Sequence, residues 1–394
     1  MISEADALAS ILAKAERLPD ERARLIDSLG RFSAGEIFAT RPLPSFDNSA
    51  MDGYAVRSAD CRAGAKLNIT GEQPAGVDRG LTIAGNETIR IFTGAPIPAG
   101  ADAVIMQEDV TREGEAIVAQ CDVEAGEFIR RRGSDLAEGQ KILARGEPLT
   151  AAALGLLASQ GIAEVAVGRR ARLTIISTGD ELARPGETPR PGQIFESNGV
   201  LLQALAREAG AEIAMIEHAP DDLEKLTEIF RGGLGADALV VSGGVSVGDY
   251  DLVRPALRAL GAELDLWRVA IKPGKPFLFG RAGACLVFGL PGNPVSAFVT
   301  FLKFVRPALR QMAGAAPEHL GLRKVPARLG CEIKNDDRDR PHYFRGRLDG
   351  GIFNLSGRQE SHALFGLSRA NALLRVAAGV ALPADALTEV ELWG

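Results

Sequence analysis

The chain has 394 residues, too many for one ordinary compact core, and at roughly 150 residues per domain two or three domains are expected. Its 46% hydrophobic and 24% charged residues, with a mean hydropathy of +0.04, are enough to bury cores and exclude disorder as the main state. Against 45 Lys and Arg stand 51 Asp and Glu, a net charge of −6, the reverse of what a general nucleic-acid binder needs to neutralise phosphates.

The four cysteines, Cys61, Cys121, Cys285 and Cys331, form no C-x-x-C pair, which excludes zinc-knuckle and thioredoxin-like motifs and predicts a reducing, cytoplasmic setting. His218, His319, His342 and His362 show no H-E-x-x-H or paired-ligand spacing, which argues against a histidine-based transition-metal site. The N-terminus, Met1-Ile2-Ser3-Glu4, lacks the basic and apolar regions of a signal peptide. Residues 282–302 carry no charge and are long enough to span a bilayer on a naive count. Gly289-Leu290-Pro291-Gly292-Asn293-Pro294 breaks any helix there, so the stretch predicts a buried strand, a turn and a helix, with no membrane crossing.

In chain order, the first 30 residues read as helical, with Ala7, Leu8, Ile11, Leu12 and then Leu25, Ile26, Leu29 on apolar faces and Pro19 interrupting. From 41 to 146, short branched runs (67–69, 88–92, 103–106) separated by Gly, Pro, Asn and Asp predict a small β module. A small-residue helix over 150–161 is placed to return the chain to the N-terminal helices. From 171 to 314, apolar runs at 173–177, 212–216, 237–241 and 285–288 alternate with helical patterns at 199–210 and 222–231. They predict a mostly parallel sheet covered on both faces. Residues 315–394 return to short strands and suggest a β-barrel or sandwich. The fold class expected is thus a multidomain α/β protein: a parallel-sheet domain (171–314), a β module (41–146), a helical start, and a C-terminal barrel or sandwich (315–394).

Three apolar strands of the central domain end in polar, glycine-rich turns: Ser177-Thr178-Gly179-Asp180-Glu181, Ser242-Gly243-Gly244-Val245-Ser246-Val247-Gly248-Asp249, and Leu290-Pro291-Gly292-Asn293-Pro294-Val295-Ser296. In an open α/β sheet ligands bind outside the carboxyl ends of the strands, so three such turns make one crevice whose backbone amides suit an oxyanion. In Lys272-Pro273-Gly274-Lys275-Pro276, two lysines three apart are stiffened to aim two charges at one anion; a solvated basic loop is the plainer alternative. No Walker A loop or G-x-G-x-x-G fingerprint is present. Asp180, Glu181, Asp221, Asp222, Asp249 and Asp251 crowd the same turns, which suits an anion only with a bridging Mg²⁺, although Asp221 and Asp222 also read as helix caps. Three further polar patches, 44–55, 92–108 and 130–135, have no role assignable from spacing.

Together the segments FDNSAMDGYAV, FTGAPIPAGADAV, STGDEL, SGGVSVGDYD, IKPGKP and GLPGNPVSAF resemble, in order from Phe46 to Phe298, the molybdopterin molybdenumtransferase family, MoeA and the E domains of gephyrin and its plant counterpart. The resemblance implies four subdomains, a helical one of 1–40 with 147–170, the β part 41–146, a molybdopterin-binding α/β domain 171–314 and a C-terminal β-barrel 315–394; a homodimer with its active cleft shared between subunits; and a reaction of adenylylated molybdopterin and molybdate, with Mg²⁺, giving molybdenum cofactor and AMP. It implies that Lys272 and Lys275 hold anionic oxygens, that Glu181, Asp222 and Asp251 hold Mg²⁺ or orient the adenylyl phosphate, and that Asp52 and Thr93 reach across from the partner subunit, with Asp135 in the same cleft. Thr178, Asp180, Ser242, Gly243, Gly244, Ser246, Pro291, Gly292, Asn293 and Ser296 form the implied substrate-binding set. Transient contact with the adenylyltransferase that supplies the substrate follows from the same resemblance. Segment 357–364 departs from the family's end motif, and no barrel residue is assigned to the site. The alternatives are a non-catalytic scaffold of the gephyrin type and a molybdopterin adenylyltransferase.

Overall fold

The computed structural model describes residues 1–245 and 252–393; Ser246, Asp249 and Asp251, named above, lie outside the described residues. The chain divides into two compact units, one of Met1–Gly35, Ala144–Ala158 and Ile162–Gly394, the other of Glu36–Leu143 and Ser159–Gly161.

The first unit is built on a six-stranded sheet. Its strands run in the order Glu212–Ala219, Arg172–Thr178, Ala238–Ser242, Cys285–Leu290, Pro276–Ala282, Glu263–Arg268. The first four are parallel and the last two join antiparallel, so the sheet is mixed at one edge. Side chains alternate between two cores, as the two-residue period of a strand requires. Leu173, Ile175, Val240 and Phe288 face one core, with Leu202 and Leu205 of helix Asn198–Glu208 and Val295 and Phe298 of helix Pro294–Thr300. Ile176, Leu239, Val241 and Val287 face the other, with Leu226 and Phe230 of helix Leu223–Gly233 and Leu257 of helix Val253–Ala259. Burying each such side chain contributes about 1.5–3 kcal/mol, which is why these strands read as unbroken apolar runs. The uncharged stretch 282–302 becomes strand, turn and helix, and among the described residues no helix is long and apolar enough to cross a membrane.

The same unit holds a closed five-stranded barrel of Arg323–Leu329, Ile352–Leu355, His342–Asp349, Ala372–Val376 and Leu387–Leu392, filled by Leu329, Phe344, Phe353, Leu374 and Val390. Closure leaves no free strand edge.

The expectation that the first 30 residues are helical is corrected. Helix Glu4–Lys14 forms, capped by Ser3, whose Oγ accepts the Asp6 N–H at 3.1 Å, and it buries Ala7 and Ile11. Past Pro19, which cannot donate to a helix, Asp20–Arg24 pairs as a strand with Glu164–Gly168, followed by one 3₁₀ turn, Leu25–Ser28. Ile26 and Leu29 are 74% and 54% exposed: their helical spacing has no surface to pack on. In helix Ala151–Ser159 only Leu157 is buried.

The second unit is an all-β module. Its six strands run Ala103–Met106, Gly53–Val56, Glu87–Ile91, Lys66–Gln73, Ala116–Ala119, Val110–Glu113. One parallel pair, Lys66–Gln73 with Glu87–Ile91, lies among antiparallel neighbours.

Candidate active site

Strands Arg172–Thr178, Ala238–Ser242 and Cys285–Leu290 end level with one another, since Ser242 pairs with both Ser177 and Leu290. The turns that follow enclose a crevice of about 730 Å³. Of the sequence-predicted residues, Thr178, Glu181, Ser242, Gly243, Gly244, Pro291, Gly292 and Asn293 line it. Gly243 has φ +96°, and a Cβ there would lie 2.8 Å from the Thr178 carbonyl oxygen, so the turn closes on its neighbour only without a side chain. Ser296 does not line the crevice; it is buried within helix Pro294–Thr300, where its carbonyl accepts the Thr300 hydroxyl at 2.7 Å.

Asn198, the first residue of helix Asn198–Glu208, ties these turns together. Its Nδ2 donates to Ser242 Oγ at 2.8 Å and to the Gly292 carbonyl at 2.7 Å. Among the described residues, its Oδ1 and the Oγ1 of Thr178 are buried without a hydrogen-bond partner. Glu196 Oε1 accepts from Ser177 Oγ at 2.9 Å and from the Gly199 amide at 2.6 Å, fixing the start of helix Asn198–Glu208. The signal missed was a polar run, Glu196-Ser197-Asn198, directly ahead of an amphipathic helix. Ile194 and Phe195 add an apolar, exposed lip.

The carboxylates divide. Glu181 and Asp221 line the crevice. Asp180 does not; its Oδ1 accepts the Asp221 amide at 3.2 Å and so shapes the turn. Asp222 is the N-cap of helix Leu223–Gly233, its Oδ1 accepting the Lys225 amide at 2.9 Å, and is also absent from the lining. Among the described residues no group of three His, Cys, Asp or Glu side chains is arranged to hold a metal. Two carboxylates lining one crevice are nonetheless the donor set that suits Mg²⁺, which takes one or two protein carboxylates and completes its shell with substrate phosphates and water.

Lys272 and Lys275 stand outside the lining, which their loop reaches at Pro276. The loop is held by its backbone: the Lys272 amide donates to the Pro341 carbonyl at 2.9 Å, the Tyr343 amide to the Lys272 carbonyl at 2.7 Å, and the Lys272–Pro273 bond is cis. The barrel also enters the crevice, which the departure of segment 357–364 from the family pattern had hidden. His362 and Leu364 line it, and the Val295 amide donates to the Ser361 carbonyl at 3.0 Å. The fully buried Arg345 secures this segment, Nη2 donating to the Arg358 carbonyl at 2.6 Å and the Glu360 carbonyl at 3.2 Å. Burial draws its guanidinium down to about 10.

In the second unit the three unassigned patches converge. Asp52 Oδ1 accepts both the amide and the hydroxyl of Thr93, at 2.7 and 2.8 Å, and these bonds, with Arg90 nearby, hold the carboxyl below the usual aspartate range. The Gly94 amide donates to the Ser49 carbonyl at 2.8 Å, and the Ile97 amide to Asp47 at 3.1 Å. Asp47 Oδ1 and Oδ2 accept from the Arg132 amide at 2.7 Å and the Arg131 guanidinium at 2.8 Å, drawing that carboxyl down as well. The Asp135 amide donates to the Leu43 carbonyl at 3.0 Å, leaving the exposed carboxylate at the edge of the same loop cluster.

Comparison with known proteins finds likenesses along the chain. Residues 2–161 match the MoeA N-terminal region (domain I and II), 174–311 a probable molybdopterin binding domain, and 326–393 the MoeA C-terminal region (domain IV). Molybdopterin molybdenumtransferase 2 of Mycobacterium tuberculosis is 37% identical over 382 residues, 94% of this chain and 93% of that protein. Molybdopterin molybdenumtransferase of Haemophilus influenzae is 39% identical over 305 residues, 76% and 75% of the two chains. The solved molybdopterin biosynthesis MoeA protein of Pyrococcus horikoshii OT3 has a TM-score of 0.83 at 29% identity, covering 100% of both chains. On these likenesses, of which that to the Mycobacterium tuberculosis protein runs nearly end to end, the chain belongs to the molybdopterin molybdenumtransferase family.

Proposed function

We infer that this protein is an enzyme of molybdenum cofactor biosynthesis that inserts molybdate into adenylylated molybdopterin, releasing AMP. The observation that carries the reading is the crevice itself. Three glycine turns close on one another at the carboxyl ends of parallel strands, within the stretch that matches a molybdopterin binding domain. The matches at 2–161 and 326–393 favour it over a stand-alone adenylyltransferase, and the scaffold reading has no observation of its own.

Thr178, Ser242 and Asn293, with the backbone at 243–244, bind the phosphate end of the substrate. Glu181 and Asp221 would hold Mg²⁺, which would supply charge neutralisation at the adenylyl phosphate. Asp222 serves the helix as its cap, and Lys272 and Lys275 attract the molybdate oxyanion. Asp52, Thr93 and Asp135 act from a partner subunit in a homodimer. Two anionic substrates repel, so charge neutralisation and positioning supply much of the rate. A cytoplasmic setting and transient contact with an adenylyltransferase complete the reading.

The test gives the purified protein adenylylated molybdopterin, Mg²⁺ and molybdate, and follows AMP release together with protein-bound molybdenum. Molybdate-dependent release lost in Asp52→Ala, Glu181→Ala and Lys275→Ala is expected. Tight pterin binding without AMP release, unchanged in all three variants, would overturn the reading.

A further inference from the structure

Arg90 is partly buried in strand Glu87–Ile91, two residues short of Phe92-Thr93. Tyr54 is its cross-strand partner. The guanidinium lies 5.0 Å from the centre of the Tyr54 ring and 5.2 Å from that of Phe92, so two aromatic rings limit where its planar fork can point. The fork donates through Nη1 to the Gly53 carbonyl at 3.2 Å and through Nη2 to Gln107 Oε1. Gln107 in turn donates its backbone N–H to the Asp52 carbonyl at 3.2 Å. Arg90 therefore reaches across strand Gly53–Val56 to the end of strand Ala103–Met106, bonding to Gly53, which follows Asp52 in the chain, and to Gln107, which bonds to the Asp52 carbonyl. The backbone at Gly53 packs closely on the neighbouring strand: a Cβ there would lie 2.0 Å from the Ile105 carbonyl oxygen.

We propose that Arg90 is a positioning residue for the Asp52–Thr93 pair: it staples the Asp52-Gly53 turn to the neighbouring strand end, holding the Asp52 carboxylate against Thr93, and places a positive charge near it. The proposal deepens the functional reading above and rests on it for its catalytic consequence. Gly53, Gln107 and the two rings are all occupied by Arg90, so its task is local geometry, and Asp52 is the chemistry-bearing group beside it. Lysine would keep the charge but lose the fork; methionine would keep much of the volume and lose both.

The experiment uses the full chain with Arg90→Met, Arg90→Lys and Asp52→Asn, each first checked for wild-type circular dichroism and thermal unfolding. Aspartate labelled with ¹³C at Cγ reports the titration of Asp52, its signal assigned by its loss in Asp52→Asn. In folded Arg90→Met the Asp52 titration is expected to move upward, and kcat for AMP release to fall by about tenfold to a hundredfold with KM nearly unchanged. Arg90→Lys is expected to restore the titration but only part of kcat. An unmoved Asp52 signal in folded Arg90→Met, or Arg90→Lys as active as wild type, would overturn the proposal. Full activity in Asp52→Asn would instead sink the catalytic reading of Asp52, while the titration shift in Arg90→Met would still stand or fall by itself.

Discussion

His342 shows a side chain whose chemistry is set by its neighbours. It is 7% exposed, stacks on Phe344 with ring centres 3.9 Å apart, and is drawn down to about 4 by burial first and then by the nearby charges of Lys272 and Arg345. Its folded value lies below the ordinary 6.5, so between those two values the unfolded chain binds the extra proton. The resulting stability is present in full above about 6.5 and lost as the pH falls toward about 4, on the order of 3 kcal/mol in all. Urea midpoints at both ends of that window are expected to show a drop that His342→Phe reduces; equal drops in the two proteins would refute it. Cysteine behaviour follows from burial in the same way. Burial pushes the Cys285 thiol up to about 12 and that of Cys61 up to about 11, whereas Cys121 and Cys331 are exposed. Iodoacetamide at neutral pH is expected to label Cys121 and Cys331 in the folded protein and all four in denaturant, read by mass spectrometry. Labelling of Cys285 in the native state would contradict the packing described. Neither result follows from the sequence, where His342 and the four cysteines stand without neighbours.

Among elements, helix Leu223–Gly233 separates two roles that one aspartate had been offered. Asp222 caps it through Lys225, and removing such a cap costs about 1 kcal/mol. Asp222→Ala is therefore expected to lower stability by about that amount and Asp222→Asn to restore it, with the Mg²⁺ dependence of AMP release unchanged in Asp222→Asn but weakened in Glu181→Gln and Asp221→Asn. A Mg²⁺ requirement altered by Asp222→Asn would return Asp222 to the metal site. The apolar strands of the sheet were legible because burial on both faces demands uninterrupted Val, Ile, Leu and Phe, as in Leu173–Ile176. Helix Asn198–Glu208 was legible from its spacing. The strand Asp20–Arg24 was not: its sequence, Asp-Glu-Arg-Ala-Arg, has no strand pattern and owes its conformation to pairing with Glu164–Gly168.

Over the whole chain, an ion network brings residues from both ends of the sequence together. Glu4 Oε2 accepts from Arg375 at 3.0 Å, its Oε1 from the Tyr343 hydroxyl, and Lys303 lies 3.6 Å from Glu4 and 2.8 Å from Glu391. Side chains of Glu4, Lys303 and Glu391 are 12–15% exposed, so solvent screens these charges weakly. Removing one member strands the others, and Glu4→Ala is expected to cost about 2–4 kcal/mol by urea denaturation, with Glu4→Ala and Glu391→Ala non-additive in a double-mutant cycle. Strict additivity would show the network to be energetically idle. By itself the sequence determined the α/β sheet domain, the β module, the glycine turns at the strand ends and the family, because strand periodicity, turn chemistry and ordered motifs are local properties of the chain. Only the tertiary structure decided that His362 and Leu364 of the barrel line the crevice, that Asn198 joins its turns, that Lys272 and Lys275 stand outside its lining, and that patches 44–55, 92–108 and 130–135 share one loop cluster. Those are relations between residues tens to hundreds of positions apart. They are set by which strand pairs with which and by the bonds of Arg345, Asp47 and Asn198, and local spacing does not encode them.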